Sequence, residues 1–390
     1  MFFHHLHLIR FFLVLPLGLL LAACWGSLHT DIDSASAVTS ERIVSTTNSS
    51  FPANLPNEIS YENATITEDI TWNASVLVRG YLVVAPQATL KIEPGAVVTF
   101  AKSTVSEQLP RLVIRGRMEA LGLTDQPILF ISKTSGKNPG WEGILFLSSE
   151  KRNILKHVRI EGAVAGVEAR FSRVEINNAT IVRSRTGALL RDSVVDLTQT
   201  NLNNCNIALE SYDSELKMNE GVLANNNKGI AVSGGSLEMS GIMIKMNKEG
   251  AVSADKCRMN MTSCDITGNT GGVRLLESNG QITRTAFTDN RDFALALHSS
   301  RFKISESRFI NNRGNAISMD NAQSSVLDNS FEGNSGYNFF YSGEDDASAV
   351  RNWWGASNEK EISEKLFDGK IESRYGRIRF SPWLSEKPVW

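Results

Sequence analysis

The sequence lacks an excess of charge of either sign. It has 40 Lys and Arg against 42 Asp and Glu, which gives a formal net charge of −2. Nucleic-acid binding requires a basic face, and this balance provides none. A strongly acidic, calcium-loaded surface is not indicated either. We therefore expect no nucleic-acid partner.

Histidine is scarce, with 6 in the whole chain. His29 precedes the repeated region described below, and only His157 and His298 fall within it. In the fold predicted below, these two lie about 29 Å apart along the axis. The sequence therefore offers no histidine pair for a metal site or a proton relay. His298 beside a carboxylate remains a lone candidate for proton transfer, against the more ordinary reading of a surface histidine.

Cysteine is also rare, with 4 residues. Cys257 and Cys264 flank an extended strand that holds them about 20 Å apart, too far for a disulfide. Cys205 lies about three turns, roughly 14 Å, from Cys264. We predict no intramolecular disulfide and expect these three thiols to pack as small apolar groups.

What the sequence does contain is a repeat with a period of 21 or 22 residues, which marks a protein built of stacked units. The anchor of each unit is an apolar residue: Ile160, Ile181, Leu202, Leu223, Ile244, Ile266, Phe287, Phe309 and Phe331. Five residues before each anchor stands a second apolar residue: Leu155, Ile176, Leu197, Met218, Met239, Met261, Ile282, Ile304 and Val326.

A polar column follows the anchors by three residues. It is Ala163, Ser184 and Cys205 in the first units, and then an unbroken series of asparagines: Asn226, Asn247, Asn269, Asn290, Asn312 and Asn334. Asparagine tolerates the left-handed conformation of a tight corner, and stacked amides can hydrogen-bond to one another. We expect a structural asparagine ladder along one edge of the stack.

The spacing within each unit favours strands over helices. Apolar residues alternate by two, and Gly, Asn, Ser and Thr interrupt every potential helix. The pattern of a leucine-rich repeat is absent. The prediction is an all-β protein, a parallel β-helix whose coils lie about 4.8 Å apart, so that nine coils span roughly 40 Å.

Residues 59–146 continue the pattern less regularly, with alternating strands at 82–100, 112–116, 127–130 and 140–146. Together with the later repeats, residues 66–384 resemble the bacterial right-handed parallel β-helix proteins of the cell envelope, within the pectate-lyase-like superfamily. The resemblance implies a right-handed solenoid of about 12 coils over residues 58–348. It implies little about function, because this fold serves lyases, hydrolases, adhesins and scaffolds.

Residues 349–390 are predicted to cap the open end of the stack. Ile362, Leu366 and Phe367 fall on one helical face, with Asn358 as N-cap and Gly369 beyond the end. The tryptophans of this segment are expected to close the core, rather than to stack on sugars: Trp353, Trp354 and Trp383.

Residues 1–23 have the pattern of a signal peptide, with basic residues before an apolar run too short to span a bilayer comfortably. The sequence Leu21-Ala22-Ala23-Cys24 resembles a bacterial lipobox. This resemblance implies cleavage before Cys24 and acylation, palmitate included, of its sulfur and new amino group, which would anchor the protein to a membrane. Trp25 stands where a retention Asp would be, which favours the outer membrane. Residues 24–57 are rich in Ser and Thr and predict a flexible tether.

The best catalytic constellation is Glu175, Asp196 and Lys217, which occupy one outward column in successive coils. Two carboxylates one coil apart have the separation of a retaining glycosidase pair. Against this hypothesis, the even spacing of the coils leaves no inserted loops to build a cleft, and mixed charges on a strand face are ordinary cross-strand pairs.

The sequence predicts no metal site and no cofactor, with Ca²⁺ left open as an alternative. Two acidic groups could form calcium loops, namely Asp289 with Asp292, and residues 344–346. Met218, Met239 and Met261 form a sulfur column that could bind Cu(I), although Ile and Leu in the same column favour core packing.

The column eight residues after each anchor is apolar in the upper units, with Val252, Leu295, Ile317 and Phe339. If this column faces outward, it would suit a protein partner. If the strand is turned over by one residue, the column belongs to the core.

The function we predict is a lipid-anchored envelope protein whose rigid solenoid binds polysaccharide or another envelope protein without chemistry. The alternatives are a polysaccharide lyase or glycoside hydrolase and, more weakly, a periplasmic copper accessory protein.

Overall fold

The computed structural model describes residues 59–133 and 139–389. The predicted signal peptide, the tether and Cys24 lie outside these residues. The described chain winds into a parallel β-solenoid of about 13 turns, close to the dozen expected. Each turn contributes one strand to each of three faces, which we call the first, second and third face in the order in which the chain visits them.

The first face carries the residues that stand five positions before the anchors. Its strands are Ile70–Trp72, Thr89–Ile92, Arg117–Leu121, Asn153–Lys156, Arg173–Asn177, Val194–Thr198, the first halves of Glu215–Ala224 and Ser236–Lys245, Arg258–Thr262, Asn279–Thr283, Arg301–Ser305, Ser325–Leu327, Ala347–Ser348 and Ile378–Arg379.

The second face carries the anchors. Its strands are the first halves of Ile59–Ile66 and Ser75–Val84, then Val97–Ala101, Ile128–Ser132, Val158–Glu161, Thr180–Val182, Asn201–Asn203, the second halves of Glu215–Ala224 and Ser236–Lys245, Asp265–Thr267, Ala286–Thr288, Arg308–Ile310 and Ser330–Glu332.

The third face follows the asparagine turn. Its strands are the second halves of Ile59–Ile66 and Ser75–Val84, then Arg111–Ile114, Trp141–Leu147, Ala163–Arg170, Thr186–Arg191, Ile207–Tyr212, Lys228–Ser233, Gly250–Asp255, Gly271–Leu276, Phe293–His298, Asn315–Asp320, Phe339–Tyr341 and Leu366–Phe367.

The apolar repeat lines the inside of the solenoid. All nine anchors have no exposed surface, and the residues five positions earlier are at most 2% exposed. Identical positions stack from turn to turn, so that Phe287, Phe309 and Phe331 lie ring on ring at 4.8 and 4.9 Å. The period of the sequence therefore produces a continuous core, in which the side chains of each turn pack on those of the turns before and after it.

The methionine column belongs to this core. Met218, Met239 and Met261 pair in register and are at most 2% exposed. Aliphatic side chains continue the same column on either side. The thioethers are therefore packed inside the solenoid, where a delivered metal ion has no access to them.

Between His157 and Gly333, each corner of the solenoid contains a residue with positive φ, and most of these residues are not glycine. Gln199 (φ 48°), Asp213 (φ 45°) and Met246 (φ 56°) represent the three corners. Such residues are disfavoured by roughly 1 kcal/mol or more. At most of these corners the backbone N–H donates to a carbonyl of the next turn, as Gln199 does to Asn219 at 2.9 Å. The hydrogen bond between turns offsets the unfavourable backbone conformation.

The asparagine column forms a hydrogen-bonded ladder. The Oδ1 of each ladder residue accepts both the backbone N–H and the Nδ2 of the preceding one, at 2.9–3.2 Å. Each Nδ2 also donates to a backbone carbonyl, as Asn269 does to Ile244 at 2.9 Å. The six side chains are at most 4% exposed. Buried amides with every group paired stabilise the stack and define its register.

One detail of the corner prediction is wrong. The ladder asparagines are not the left-handed residues, since it is the residue before each of them that has positive φ, as in Asn225 and Asn311. The reason is geometric, because a ladder side chain must point into the turn to reach its neighbours, and the preceding residue therefore makes the bend.

Two further ladders lie at the other corners, and the sequence analysis missed both. Between the third and first faces, the N–H of Ser193 donates to the Oγ of Ser214 at 3.0 Å. Between the first and second faces, the N–H of Thr285 donates to the Oγ of Ser307 at 3.2 Å, and Ser307 to the Oδ1 of Asn329 at 3.0 Å. Single serines at an interval of 21 residues are the signal that was available.

The three cysteines occupy positions in these ladders and are free and buried. The N–H of Cys205 donates to Asn226 Oδ1 at 2.8 Å, and that of Cys257 to Ser278 Oγ at 3.0 Å. Burial raises the pKa of Cys205, Cys257 and Cys264 to about 11. Each thiol therefore takes the place of a small polar side chain at a corner, protonated and inert.

The C-terminal segment covers the last turn. Asn358 caps the helix Glu359–Glu364, as predicted, and accepts the N–H of Glu361 at 3.0 Å. The helix is shorter than expected, because Leu366–Phe367 forms a strand that pairs with the third face. Trp354 is 2% exposed and stacks on Phe331 at 4.7 Å. It extends the aromatic column of the core by one ring.

We expect Asn269→Ala to lower the free energy of unfolding by about 3 kcal/mol, because the N–H of Asn247 loses its acceptor and the Nδ2 of Asn247 loses one of its two acceptors. Urea denaturation of the purified protein measures this. The matched control is Asn279→Ala on the exposed side of the first face, which should change stability by less than about 0.5 kcal/mol. Equal losses in the two variants would contradict the role of the ladder.

Candidate functional site

The predicted catalytic trio lies on the outer side of the first face. Glu175 pairs in register with Asp196, and Asp196 with Lys217, in three consecutive turns. The guanidinium of Arg152 grips Glu175 through two hydrogen bonds of 2.6 Å. These bonds hold the pKa of Glu175 below its usual range, against the opposing effect of burial. Glu175 is therefore ionised and already paired, which does not suit a general acid.

The rest of this face continues the same pattern of mixed charges. Lys217 lies opposite Glu238 in the next turn, and Glu238 opposite Asn260. Opposite charges in directly facing positions stabilise neighbouring strands. The geometry thus brings the trio together, but as part of a cross-strand charge ladder on an open face.

One of the two acidic groups proposed as calcium loops, residues 344–346, is used in contacts of the protein itself. Asp346 accepts the N–H of Arg377 at 2.8 Å and pairs with Arg379 at 2.9 Å, and the first of these bonds is the main reason that its pKa is lowered. Asp289 lies in a small polar pocket with Arg291 and Arg313. Over residues 59–133 and 139–389, no three acidic, histidine or cysteine side chains are grouped as metal ligands.

The apolar strip proposed on the third face is not on the surface. Val252 is 3% exposed, and Leu295, Ile317 and Phe339 have no exposed surface. In these four turns the outward residue is the next one along the chain. The complete outward column is Leu189, Glu210, Ala231, Ser253, Arg274, Ala296, Ser318 and Phe340. The upper turns therefore present a mixed polar surface instead of an apolar one.

The shift has a simple origin in the length of the turns. The residue of the outward column stands five positions after Asn226 and Asn269. It stands six positions after Asn247, Asn290 and Asn312. A turn of 22 residues thus places its additional residue between the ladder and the third face. Because side chains alternate along a strand, one added residue exchanges its inner and outer sides.

A shallow groove of about 390 Å³ lies on the outer side of the third face in the upper turns. It runs across four successive strands. The outward side chains that line it are Arg274, Leu276, Ala296, His298, Asn315, Ser318, Asp320, Phe340 and Ser342.

Arg274 is the cation of this groove. Its guanidinium lies over the ring of Phe293, with the carbon Cζ 4.8 Å from the ring centroid. No carboxylate in the described part of the chain forms an ion pair with it. Phe293 packs on the backbone of Gly271, where a Cβ atom would lie 2.9 Å from the ring. The ring supports the guanidinium and leaves its N–H groups available to a ligand.

His298 and Asp320 form a pair at one side of the groove. They are register partners in neighbouring turns, and the Nδ1 of His298 lies 2.7 Å from Asp320 Oδ2. The hydroxyl of Ser342 donates to the other carboxylate oxygen at 3.3 Å. Both members of the pair are about half exposed, at 54% and 52%. Asp320 therefore orients an imidazole that solvent and ligands can reach.

An aromatic surface borders the groove on the side of the cap. Phe340 stacks on Phe367 at 4.4 Å with nearly parallel rings, and Tyr337 packs against both. The outward side chains between Phe340 and Arg274 are short, namely Ser318 and Ala296. The groove thus combines an unpaired guanidinium, an oriented His–Asp pair and a fixed aromatic ring on a low floor.

Sequence reasoning found only one member of this group as a candidate, His298. The separation of 22 residues between His298 and Asp320 equals one full turn and could have identified the pair. Arg274 and Phe340 could not be placed from sequence, because their orientation depends on where each turn accommodates its additional residue.

Comparison with known proteins supports the fold directly. Residues 225–353 match the family model described as right handed beta helix region. The chain is a right-handed parallel β-helix. No curated protein matches the sequence of this β-helix.

Several solved structures are similar to this β-helix at low sequence identity. The Agl-KA catalytic domain is 11% identical, with 79% of this chain and 62% of that chain covered and a TM-score of 0.43. This β-helix thus spans less than two thirds of that domain. The A-module of the mannuronan C-5 epimerase AlgE4 from Azotobacter vinelandii is 14% identical (70% and 87% covered, TM-score 0.35). An alginate lyase from Paenibacillus sp. is 12% identical (76% and 91% covered, TM-score 0.21). Similarity at this level carries no information about substrate.

A search for membrane-spanning helices, confined to residues 59–133 and 139–389, found none of sufficient length and apolarity. The only α-helix in that part of the β-helix protein is the one in the cap.

We expect Glu175→Gln to reduce stability at neutral pH by at most about 1 kcal/mol, because the pair with Arg152 is near the surface. The folded-state pKa of Glu175 is lowered, so its contribution is present at neutral pH and is lost as the pH falls through that pKa. Urea denaturation of wild type and variant from neutral pH to pH about 3 measures the difference. Glu215→Gln, on the same face, is the control. A difference that persisted in acid would show that packing, not charge, is responsible.

Proposed function

We propose that this protein is a lipid-anchored component of the bacterial cell envelope that binds an acidic polysaccharide in the groove of the third face, without chemistry. The anchor is inferred from the lipobox-like sequence that ends at Cys24, and Trp25 favours the outer membrane. The rigid solenoid then serves to present the groove to its ligand.

The observation that carries the proposal is the state of Arg274. Several surface arginines form ion pairs with carboxylates, as Arg152 does with Glu175 and Arg351 with Asp328. Arg274 instead lies flat on Phe293, which leaves its N–H groups directed to no acid of the described chain. A planar guanidinium with free donors matches a carboxylate group, such as that of a uronate sugar.

The remaining groups of the groove suit a sugar. The ring of Phe340 provides an apolar surface for the C–H face of a pyranose. Asn315, Ser318 and Asp320 offer donors and acceptors for hydroxyl groups. The groove combines apolar surface with several polar groups, as binding of a pyranose ring requires, and the apolar strip that would have suited a protein partner is buried in the core.

The open form of the groove favours binding over catalysis. His298 and Asp320 are half exposed and face a low floor, so water is not excluded from any reacting atom. On the first face, the carboxylate of Glu175 is already bonded to Arg152. A lyase or hydrolase centred on Glu175, Asp196 and Lys217 is therefore the less favoured alternative.

We expect Arg274→Gln to weaken binding of polygalacturonate by at least about tenfold, which corresponds to about 1.4 kcal/mol, because the ligand loses a charge-assisted contact. Isothermal titration calorimetry with a water-soluble Cys24→Ser form measures the affinity, with dextran as the neutral comparison. Arg301→Gln is the control, since Arg301 lies on the first face and bonds only Gln323, at 2.9 Å.

Equal affinity for both polymers, or no effect of Arg274→Gln, would contradict the assignment of the groove. New reducing ends or unsaturated products would contradict the absence of chemistry. In that case His298 is the group to test next, because Asp320 already orients its ring.

For the anchor, we expect wild-type protein expressed in bacteria to incorporate labelled palmitate and to sediment with membranes. Cys24→Ser should abolish both, because the thiol that accepts the acyl chain is missing. Cys205→Ser is the control, since Cys205 is buried in the solenoid. Retention of label by Cys24→Ser would refute acylation at this residue.

A further inference from the structure

We infer that the glycan lies parallel to the solenoid axis and is held at a second point, the pair of Arg191 and Tyr212, four turns from the groove. This inference rests on the proposed function, since it concerns the same ligand. It adds a requirement that the groove alone does not impose, namely a minimum length of the bound chain.

The second point has the same construction as the first. The carbon Cζ of Arg191 lies 4.7 Å from the ring centroid of Tyr212, and the ring is 36% exposed. Within residues 59–133 and 139–389, no carboxylate forms an ion pair with Arg191. The third face therefore carries two guanidinium groups that are supported by aromatic rings rather than neutralised by acids.

The strand register fixes the separation of these two points. The column of Arg191 and Tyr212 continues through Ser233, Asp255 and Leu276 to His298. Tyr212 is thus four turns from His298, or about 19 Å along the axis. Arg191 is likewise four turns from Arg274, with a sideways offset of two residues, so that the two guanidinium groups lie about 20 Å apart.

The surface between the two points is low. Its outward residues in the central column are Ala231 and Ser253, which do not rise above the strands. Glu210 lies beside Arg191 and is about half buried, and burial raises its pKa in spite of Arg191 and Lys228 nearby. An extended chain can cross this floor without meeting a wall.

The spacing is rigid because each turn is hydrogen-bonded to the next on all three faces and through the ladders. The solenoid therefore cannot close around a short ligand. A glycan chain that is long enough to span both points forms the second contact as an intramolecular step. Its affinity is therefore expected to rise in a step at that length, and not gradually with each added sugar.

The test is a series of oligogalacturonides from disaccharide to dodecasaccharide, titrated into the full chain carrying Cys24→Ser. Affinity should increase by at least about tenfold over a narrow range of lengths. Arg191→Gln should abolish this increase and leave the affinity for the disaccharide unchanged, whereas Arg274→Gln should weaken binding at every length. Tyr212→Ala is the second variant, expected to behave as Arg191→Gln.

Controls separate this inference from the proposed function. Arg301→Gln should follow wild type at all lengths, and thermal denaturation verifies that each variant is folded. If short oligomers bind in an Arg274-dependent manner and affinity shows no step, or if Arg191→Gln keeps the step, the second contact is refuted and the groove stands. If no oligomer binds, the proposed function itself fails.

Discussion

Hydrogen bonding between successive turns is the constraint on which the rest of the structure depends. A solenoid of this kind brings every corner of one turn onto the corner of the next, inside a core that excludes water. The backbone groups at these corners have no strand partner of their own. Asparagine, serine and threonine side chains satisfy them, and buried polar groups that are fully paired make only one register possible.

The same constraint explains the chemistry of the cysteines and the backbone of the corners. Cys205, Cys257 and Cys264 lie in the ladders because a thiol has nearly the size of the side chains that it replaces. Residues such as Met246 accept a left-handed conformation because their N–H groups reach the next turn. At many corners a residue other than glycine adopts positive φ against its conformational preference, and a hydrogen bond between turns offsets the cost.

Function is then a matter of what the outer faces carry, since the inner sides are committed to packing. The first face carries mixed charges in facing positions, and its candidate carboxylate Glu175 is already bonded to Arg152. The third face differs, because Arg191 and Arg274 rest on aromatic rings and remain without acidic partners in the described chain. A fixed spacing between identical turns makes such a face suited to a polymer with repeating groups.

The amino-acid sequence alone determined the class of fold, the core and the asparagine ladder, because each depends on a period that any reader of the chain can measure. It also placed Glu175, Asp196 and Lys217 in one column, but not the grip of Arg152 on Glu175. Only the tertiary structure decided which side of the third face is exposed in the upper turns. A single added residue after Asn247, Asn290 or Asn312 exchanges the inner and outer sides of the strand that follows. The sequence does not show where within a turn that residue is accommodated.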